Sequence, residues 1–478
     1  MEYEVVIGLE IHIQLATRTK LFSGDANRFG NSPNSLTSPL VLGHPGTLPK
    51  TNKAAVALAV QLGLTCGCTI ARENYFARKN YFYPDLPKGY QISQHTTPIC
   101  LGGAIEITVD NQTQTIALNR IHLEEDAGKS LHDQYKDVTC IDLNRAGTPL
   151  VELVTEPVIF SATAAAQFVT EVRKLVRWLG VSDGNMEEGS LRCDANLSLR
   201  PVGSKTLGTK VEVKNLNSIK HVRKAIEAET ERMTHLLQKG QIIRQETRGF
   251  DAQTETTFSQ RDKEEANDYR YFPDPDLPAF LLQEDWIKQQ QIALPILPAV
   301  AQKKLMEEMG LGAYDAAQLC DDKLVFDFFQ ACVAAGGSPK PIANWITGPI
   351  RQYLNETQTG LSVFPLQAPQ IVAMIQMVEA GDLHFSQASQ QLFRAWLKNP
   401  TAHPKALATD LGLVLVKDNH SLEKWVMEVL AEMPDKVIEY QKGKKGLMGL
   451  FVGAVKKKSK GSADPLQVTA LLEEKLKK

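Results

Sequence analysis

Residues 5–15 of the chain read VVIGLEIHIQL, and this stretch decides the fold of the N-terminal region. Its odd-numbered positions from Ile7 to Leu15 are apolar, whereas Glu10 and His12 lie at even-numbered positions between them. Side chains that alternate with a period of two lie on opposite faces of a β-strand. The stretch therefore predicts a strand with one face in an apolar core and the other carrying a carboxylate and an imidazole.

Three later stretches show a similar division of apolar and polar side chains. Residues 121–126 read IHLEED, so that three acids end an apolar alternation. Residues 191–199 alternate polar side chains with Cys, Ala and Leu, and residues 210–216 alternate Lys and Glu with Val. Any one of these patterns alone is more often a solvated strand face. Four together predict a sheet with one face on the core and the other lining a polar cleft.

The polar face of this sheet has the side chains of a nucleotide site. Carboxylates with one imidazole form the oxygen-rich ligand set that Mg²⁺ takes, with substrate phosphates completing the coordination shell. Arg192 and Lys214, which share faces with these acids, would balance phosphate charge. The standard nucleotide motifs are absent: Gly128-Lys129-Ser130 resembles the end of a P-loop, but Leu123 occupies the position of its first glycine.

Strands predominate up to about residue 278, and the predicted fold class is α+β. Residues 105–109 and 115–123 predict a hairpin around Asp110-Asn111. Helices are predicted at 164–179 and 219–239, and each is followed by a glycine. Because several strands follow one another without a helix between them, the N-terminal sheet should be mainly antiparallel.

Helices predominate after this region, which predicts three domains. Proline and glutamine are frequent between residues 273 and 295, which favours an exit linker. The predicted domains are a sheet domain at 1–290, an all-helical domain at 291–403 and a small helical tail domain at 404–478. The predicted helices of the second domain cover residues 299–309, 321–335, 370–380 and 386–396.

Charge is distributed unevenly along the 478 residues. The net charge is −2, but residues 441–478 hold ten lysines against three acids, a local charge of +7 that leaves −9 for the rest. A basic tail on an acidic body predicts that the tail meets a polyanion. The lysines expected to do so are Lys444, Lys445, Lys456, Lys457, Lys458 and Lys460, around a small apolar core of Leu447, Leu450 and Phe451.

Composition excludes several classes of protein. Apolar residues make up 43% and charged residues 23%, as in ordinary globular proteins. The longest uncharged run, residues 357–378, contains two prolines and four glutamines, which argues against a membrane-spanning helix. The N-terminus lacks the pattern of a signal peptide. Seven cysteines, with only Cys66 and Cys68 close together, favour reduced thiols in the cytoplasm and make zinc unlikely.

Long motifs of the chain resemble a known family. They are EVVIGLEIH at 4–12, KNYFYPDLPKGYQ at 79–91, LEEDAGK at 123–129, DLNRAGTPL at 142–150, GSLRCDAN at 189–196, KVEVKNLNS at 210–218, YRYFPDPDL at 269–277 and GLMGLFVG at 446–453. In this order they resemble the B subunits of aspartyl/glutamyl-tRNA(Asn/Gln) amidotransferases, and the resemblance covers nearly the whole chain.

The resemblance implies a ligase that forms a carbon–nitrogen bond with glutamine as the amido donor. ATP phosphorylates the side-chain carboxylate of Glu or Asp on a mischarged tRNA(Gln) or tRNA(Asn), and ammonia then displaces the phosphate. It further implies an amidase A subunit that supplies the ammonia, a small C subunit that completes a heterotrimer, and ATP and Mg²⁺ as cofactors. Whether one or both tRNAs are substrates stays open.

The resemblance also assigns residues, beside those that the pattern itself suggests. It implies metal ligands at Glu10, His12 and Glu125, with Glu124 and Asp194 as further candidates near the phosphates. The predicted catalytic set is Glu10, His12, Glu125 and Asp194, and the predicted metal set is Glu10, His12, Glu124 and Glu125. The cations expected to bind ATP or phosphate are Lys79, Lys88, Arg192 and Lys214.

Two other functions remain open at this point. One is a tRNA-binding scaffold whose sheet is catalytically inert, which the basic tail alone would favour. The other is a metal-dependent phosphohydrolase that uses the same ligands to activate water. ATP turnover that depends on mischarged tRNA would separate the amidotransferase from both. The chain has no nucleophile arrangement for glutamine hydrolysis, so it should not itself be a glutaminase.

Overall fold

A computed structural model describes residues 2–94, 96–262, 269–415, 419–459 and 463–477. The chain divides into two units, Met1–Leu297 and Pro298–Lys478. The first unit contains the sheet and the second is helical. The division of the second unit that the sequence predicts at residue 403 stays a prediction.

Within the described residues the first unit contains seventeen strands. In chain order they are β1 Tyr3–Gln14, β2 Thr69–Ile70, β3 Glu73–Asn74, β4 Ala77–Asn80, β5 Tyr90–Ser93, β6 Cys100–Leu101, β7 Ala104–Val109, β8 Gln112–Glu125, β9 Lys129–Tyr135, β10 Val138–Asp142, β11 Pro149–Thr155, β12 Leu191–Pro201, β13 Val211–Leu216, β14 Glu246–Asp251, β15 Thr256–Asp262, β16 Phe272–Pro273 and β17 Phe280–Leu281.

Seventeen α-helices lie in the described residues of the two units. They are α1 Lys53–Thr65, α2 Ala162–Trp178, α3 Ile219–Gln238, α4 Glu284–Ile292, α5 Pro298–Glu307, α6 Ala313–Leu319, α7 Lys323–Ala334, α8 Pro339–Trp345, α9 Arg351–Thr357, α10 Ala368–Glu379, α11 Phe385–Gln387, α12 Phe393–Lys398, α13 Pro404–Asp410, α14 Asn419–Glu432, α15 Pro434–Gln441, α16 Met448–Lys458 and α17 Pro465–Leu476. Two π-helical turns, Ile346–Ile350 and Ala388–Leu392, join neighbouring helices.

One large sheet organises the first unit. Its central strand order is β15-β14-β13-β12-β1-β11-β8-β5-β4-β16, with β6 and β7 also paired to β8. Among the described pairs only β13 and β14 are parallel, and helix α3 makes the crossover between them. The predicted α+β class with a mainly antiparallel sheet is therefore confirmed.

The core lies on one face of this sheet. From residue 7 onward the odd-numbered side chains of β1, among them Ile7, Leu9 and Ile11, are fully buried and belong to the same apolar cluster as Ala195 of β12 and Val213 of β13. Each fully buried aliphatic side chain contributes about 1.5–3 kcal/mol relative to an exposed one. The even-numbered side chains of β1 therefore face away from the core, as the alternation predicts.

The two long helices cover the core and begin and end at residues that favour those positions. Ser161 and Ser218 are the N-caps of α2 and α3, and their hydroxyls accept hydrogen bonds from the amides of Ala164 and His221. Gly180 follows the C-cap of α2 with a φ of +67°, a conformation that glycine adopts without strain. Both predicted helices are confirmed.

The hairpin of β7 and β8 is also confirmed. Ile105 pairs with Ile116 and Val109 with Gln112. Asp110 and Asn111 at the tip both have positive φ, as a two-residue turn between twisted strands requires.

Two helices of the first unit contradict the prediction. Residues 53–65, which were not predicted as a helix, form α1, whose apolar side chains are buried against the sheet. The stretch predicted as an exit linker contains α4, and Gln290 of α4 accepts a hydrogen bond from Gln61 of α1 at 3.0 Å. Part of that stretch therefore packs as structure of the sheet unit.

The second unit is helical, as predicted. Near its C-terminal end a second core forms from α14 to α17, with Val426, Phe451 and Leu472 fully buried. Leu447 packs against this core, but Leu450 is 46% exposed, so its predicted place in the core is wrong. Among the described helices of the chain, none is long and apolar enough to cross a membrane.

Candidate active site

The register of the central strands places polar side chains from four strands next to one another. His12 of β1 lies opposite Glu152 of β11, and Glu152 lies opposite His122 of β8. On its other edge β1 pairs with β12, so that Glu10 lies opposite Asp194. Directly opposed side chains of antiparallel strands share a face and lie about 5 Å apart at Cβ. The polar face of the sheet therefore collects these groups in one cleft.

The first cluster of this cleft contains two imidazoles and two carboxylates. His12 Nε2 lies 3.5 Å from Glu152 Oε2 and 3.9 Å from Glu124 Oε1. His122 Nε2 lies 3.5 Å from Glu152 and 3.6 Å from Glu124. Ligand atoms of His12, Glu124 and Glu152 all lie within 4.8 Å of one another, a separation that one metal ion can bridge.

The second cluster consists of three carboxylates from three adjacent strands. Ligand atoms of Glu10, Asp194 and Glu212 also lie within 4.8 Å of one another. Asn196 holds Glu10 through a 2.8 Å hydrogen bond from its amide nitrogen, and the amide of Asn215 donates to Asp194 Oδ1 at 2.9 Å. These hydrogen bonds hold the carboxylates of Glu10 and Asp194 close together in spite of the repulsion between their charges.

The second cluster carries an excess of negative charge around Glu10. Burial and the neighbouring charge of Glu152 raise the pKa of Glu10. Among the described residues, no lysine, arginine or histidine lies within ion-pair distance of Glu10. A divalent cation among these oxygens would offset that repulsion.

In the first cluster a proton on His12 offsets the negative charge of the carboxylates. Burial opposes a charge on the His12 imidazole, but its hydrogen bond to Glu152 and the charges of Glu152 and Glu124 raise its pKa to about 9. Burial raises the pKa of Glu152. The charge of His122 and then the hydrogen bond and charge of His12 oppose this effect, and the pKa of Glu152 is lowered overall. A metal ion bound here would compete with the proton on His12, because only the neutral imidazole is a ligand.

The donor sets of both clusters fit a divalent metal. They offer mainly carboxylate oxygens, which suit Mg²⁺ and Mn²⁺, and one imidazole that both metals accept. Asn196 Oδ1, beside the second cluster, is buried and has no hydrogen-bond partner within the described structure, and the same holds for His122 Nδ1 beside the first. Unpaired buried polar atoms are unfavourable unless a further partner satisfies them. The metal ligands favoured by this geometry are His12, Glu124 and Glu152, and Glu10, Asp194 and Glu212.

Three of the predicted phosphate-binding cations line the same cleft, which has a volume of about 370 Å³. Lys214 Nζ lies 3.0 Å from Glu212 and 3.6 Å from Asp194, and these two charges raise its pKa although burial lowers it. Burial also lowers the pKa of Lys79, but the charges of Glu124, Glu152 and the neighbouring tyrosines together outweigh that effect and raise the pKa. Acidic clusters with lysines beside them can hold a metal–phosphate group from both sides.

Arg192 forms a third part of the wall, through Asp126. Its guanidinium lies 2.9 Å from Asp126 Oδ2, which also accepts from Gln14 at 2.9 Å. Burial raises the pKa of Asp126. Arg192, Arg145 and the hydrogen bond from Gln14 together lower it below its usual value, so the carboxyl group stays ionised. Arg192 also lines a second, neighbouring cleft of about 790 Å³.

Glu125 and Lys88 do not reach the two clusters. Glu124 and Glu125 are consecutive in β8, so their side chains point to opposite faces of the strand. The Glu125 carboxylate accepts hydrogen bonds from Lys88 Nζ and from the amide of Ile92, and both charged side chains are nearly buried. Glu125 was predicted as a metal ligand beside Glu10 and His12, but the geometry does not bring it together with either cluster. Lys88 neutralises Glu125 rather than facing the cleft.

Three residues of the clusters were not among the predicted site residues: Glu152, Glu212 and His122. Glu212 lies in the alternation of charged residues and valines at 210–216, but this pattern alone did not indicate that Glu212 belongs to the site. Glu152 is the single acid in the apolar strand PLVELVT, and a lone acid in such a strand was the available signal. His122 precedes the acid run of β8 and lies on the same face as Glu124.

The tail lysines are spread over α16 and the turn before it. Lys456 and Lys457 are exposed in the last turn of α16, and in the described part of the chain no carboxylate lies within ion-pair distance of either. Lys458 instead pairs with Glu428 at 2.9 Å and with Glu432. Lys444 pairs with Glu439, Lys445 lies 4.4 Å from the ring centroid of Tyr440, and Lys460 lies outside the described residues.

The cysteines are buried or partly buried and form no disulfide; all seven lie in the described part of the chain. Burial raises the pKa of Cys68 to about 11, which keeps its thiol protonated.

Comparison with known proteins matches the chain to one family over nearly its whole length. Residues 5–288 match the GatB/GatE catalytic domain family, and residues 327–476 match the GatB domain family. Curated relatives from Geotalea uraniireducens, Geobacter sulfurreducens and Janthinobacterium sp. are 45%, 45% and 46% identical to it over the full length of both chains. Each is named as the B subunit of an aspartyl/glutamyl-tRNA(Asn/Gln) amidotransferase. The resemblance seen in the sequence is confirmed, and the chain belongs to the family of aspartyl/glutamyl-tRNA(Asn/Gln) amidotransferase B subunits.

Proposed function

We propose that the acidic cleft of the sheet phosphorylates the side-chain carboxylate of a Glu or Asp carried by tRNA, with ATP as the phosphate donor. The acyl phosphate is then converted to the amide by ammonia, which an amidase A subunit supplies within an assembly that a small C subunit completes. The observation that carries this proposal is the pair of carboxylate clusters, each on fixed strands, with Lys79, Arg192 and Lys214 around them in one cleft.

The residues of the cleft suit this reaction because it needs charge neutralisation more than a base. A glutamate side chain has a pKa near 4.3, so the attacking carboxylate is already ionised at neutral pH. The difficulty is that one anion must approach another. Lys79, Arg192 and Lys214 can hold the phosphates and the carboxylate in line, and positioning with charge stabilisation supplies most of the catalysis in phosphoryl transfer.

The metal that the clusters fit is Mg²⁺, held by His12, Glu124 and Glu152 and by Glu10, Asp194 and Glu212. When bound, Mg²⁺ neutralises charge on the phosphate oxygens. The residues around it keep their own roles: Asn196 and Asn215 orient the carboxylates, and the Asp126–Arg192 pair fixes the guanidinium at the wall. Because an acyl phosphate is labile in water, the bound substrates must exclude water from the cleft during the reaction.

A test of this proposal uses the assembled enzyme and separates its two half-reactions. ADP release should require both Mg²⁺ and the mischarged aminoacyl-tRNA, and hydroxylamine should trap an activated carboxylate when no ammonia is supplied. Correctly charged Gln-tRNA(Gln) is the matched control, since it has no carboxylate to phosphorylate. ADP release at the same rate with that control would make the cleft a phosphohydrolase, and no ADP release with either would favour the tRNA-binding scaffold.

The tail should bind the tRNA body through Lys456 and Lys457, which are exposed and have no carboxylate of the described residues within ion-pair distance. Changing Lys456 and Lys457 together to Gln should reduce the slope of log K against log salt for tRNA binding by about 2, because each lysine that meets a phosphate contributes about 1. The maximal rate at saturating tRNA should stay unchanged. The adjacent exposed pair Lys303 and Lys304 of α5 gives the control variant. An unchanged salt slope in the tail variant would make its lysines a solvated surface.

A further inference from the structure

Four tyrosine rings form a continuous row beside the acidic cleft. Tyr83, Tyr81, Tyr269 and Tyr271 follow one another with successive ring centroids 6.0, 5.9 and 6.0 Å apart, and each pair meets edge to face. The row joins two segments that are far apart in sequence. Both segments belong to family motifs, at 79–91 and 269–277, but the two carboxylate clusters do not explain why aromatic rings should be collected beside them.

Hydrogen bonds between the two segments hold this tyrosine row in place. The Asn80 amide group donates to the carbonyl oxygen of Arg270 at 2.8 Å, and the Asn80 backbone amide donates to Tyr269 at 2.9 Å. Arg78, two residues earlier, pairs with Asp274 at 2.7 Å. The Tyr81 hydroxyl donates to Gln91 at 3.2 Å. Tyr81 and Tyr269 are therefore held in place before any ligand arrives, which reduces the entropy lost on binding.

The tyrosine row leads from the cleft to the solvent. Tyr81 and Tyr271 line the acidic cleft together with Lys79, whose ammonium lies 4.9 Å from the ring centroid of Tyr269. At the other end Tyr83 is 52% exposed, and the adjacent Phe82 is 83% exposed. Exposed aromatic rings of this kind are costly to leave in water and mark contact surfaces.

We infer that the tyrosine row, together with the adjacent Phe82, binds the unpaired 3′ end of the substrate tRNA. The inference rests on the proposed function, in which the amino acid on the last nucleotide must enter the cleft. Single-stranded nucleotides bind proteins by stacking their bases on aromatic rings beside cations that meet the backbone. The tyrosine row supplies the rings and Lys79 supplies the cation. Because the row runs from the solvent into the cleft, a strand bound along it would have its last nucleotide at the phosphorylation site.

The alternative occupant is the adenine ring of ATP, and the arrangement favours the tRNA. One adenine needs one or two rings inside the cleft. The most exposed rings, Phe82 and Tyr83, lie at the outer end of the row, where a chain of several bases would pass and a single nucleotide would not reach.

The test removes single rings at the exposed end in the assembled enzyme. Phe82→Ala and Tyr83→Ala should each raise the KM for mischarged tRNA about 5- to 100-fold, the effect of losing one stacked base. The KM for ATP and the kcat at saturating tRNA should stay within about twofold of wild type. Phe82→Tyr and Tyr83→Phe keep a ring and should restore binding. Tyr135→Ala, at a tyrosine that is 66% exposed on β9, is the matched control.

A second measurement does not depend on phosphorylation. A tRNA that carries 2-aminopurine in its unpaired 3′ end, at a position before the terminal nucleotide, should lose fluorescence on binding to wild type and to Tyr83→Phe, but not to Tyr83→Ala. If the KM for ATP rises instead of that for tRNA, the rings hold ATP and the inference is wrong. Unchanged quenching and unchanged KM in both alanine variants would also overturn it. Quenching that requires Tyr83 in an enzyme without tRNA-dependent ATP turnover would keep this inference and reject the proposed function.

Discussion

Replacing Glu152 with Gln should lower ATP-dependent amidation of mischarged tRNA by at least about 100-fold. Glu152 lies within 3.5 Å of both His12 and His122, so its loss removes one carboxylate ligand and the charge that both imidazoles face. Outer-shell partners of metal sites typically contribute 10- to 100-fold, and a direct ligand should contribute more. The rate is measured as formation of the amidated aminoacyl-tRNA at saturating ATP and Mg²⁺.

Two controls make this result specific. Glu156→Gln alters the next acid along the chain, which bonds to Asn119 outside the cleft, and should leave the rate unchanged. Glutamine hydrolysis should remain measurable in Glu152→Gln, since the proposed function assigns it to an amidase on another polypeptide. Amidation within threefold of wild type would exclude Glu152 from the site.

Replacing Glu10 with Gln should raise the melting temperature of the metal-free protein and lower its response to Mg²⁺. The pKa of Glu10 is raised in the folded state, so at neutral pH its charge is less favourable there than in the unfolded chain. This cost is present above the folded pKa and disappears as the pH falls below the unfolded one. Gln removes the charge and can still accept the hydrogen bond from Asn196, so the melting temperature should rise by about 1–3 °C.

The metal response should change in the opposite direction. At a Mg²⁺ concentration of 100 times Kd, each ion that binds only the folded state stabilises it by about 2.7 kcal/mol, or roughly 4 °C in a unit of this size. In Glu10→Gln one of the two clusters remains intact, so about half of the total increase should be lost. Scanning calorimetry with and without Mg²⁺ measures both effects, and Glu106→Gln on β7 is the exposed control. An equal Mg²⁺ response in wild type and Glu10→Gln would remove the second cluster as a metal site.

The sequence predicted the parts of the fold in which a local pattern is strong. Alternation in residues 5–15 and 191–199 predicted β1 and β12, because one face of each strand is apolar and the other is polar. Helix α1 was missed since KAAVALAVQLGLT is small or apolar on nearly every side and has no polar face to reveal a helical period. Helix α4 was missed because its three glutamines resemble a linker, while its contact with α1 is a tertiary feature.

The site was predictable only where its residues share a strand. Glu10 and His12 are two residues apart, so their common face follows from the alternation. That Glu152 lies between His12 and His122 follows from the pairing register of three strands, which no local pattern specifies. The same geometry separates Glu124 from Glu125, two neighbours that the predicted metal set included together.

The tip of the β7–β8 hairpin has a practical consequence for labelling the enzyme. Residues 112–117 of β8 pair with β7, and only from Leu118 onward does β8 pair with β11 and carry Glu124. Exposed turns are the positions at which proteins best tolerate inserted sequence. A fluorophore or affinity tag inserted between Asp110 and Asn111 would therefore leave the pairing beyond Leu118 in place, whereas a single residue inserted after Leu118 would turn Glu124 to the opposite face.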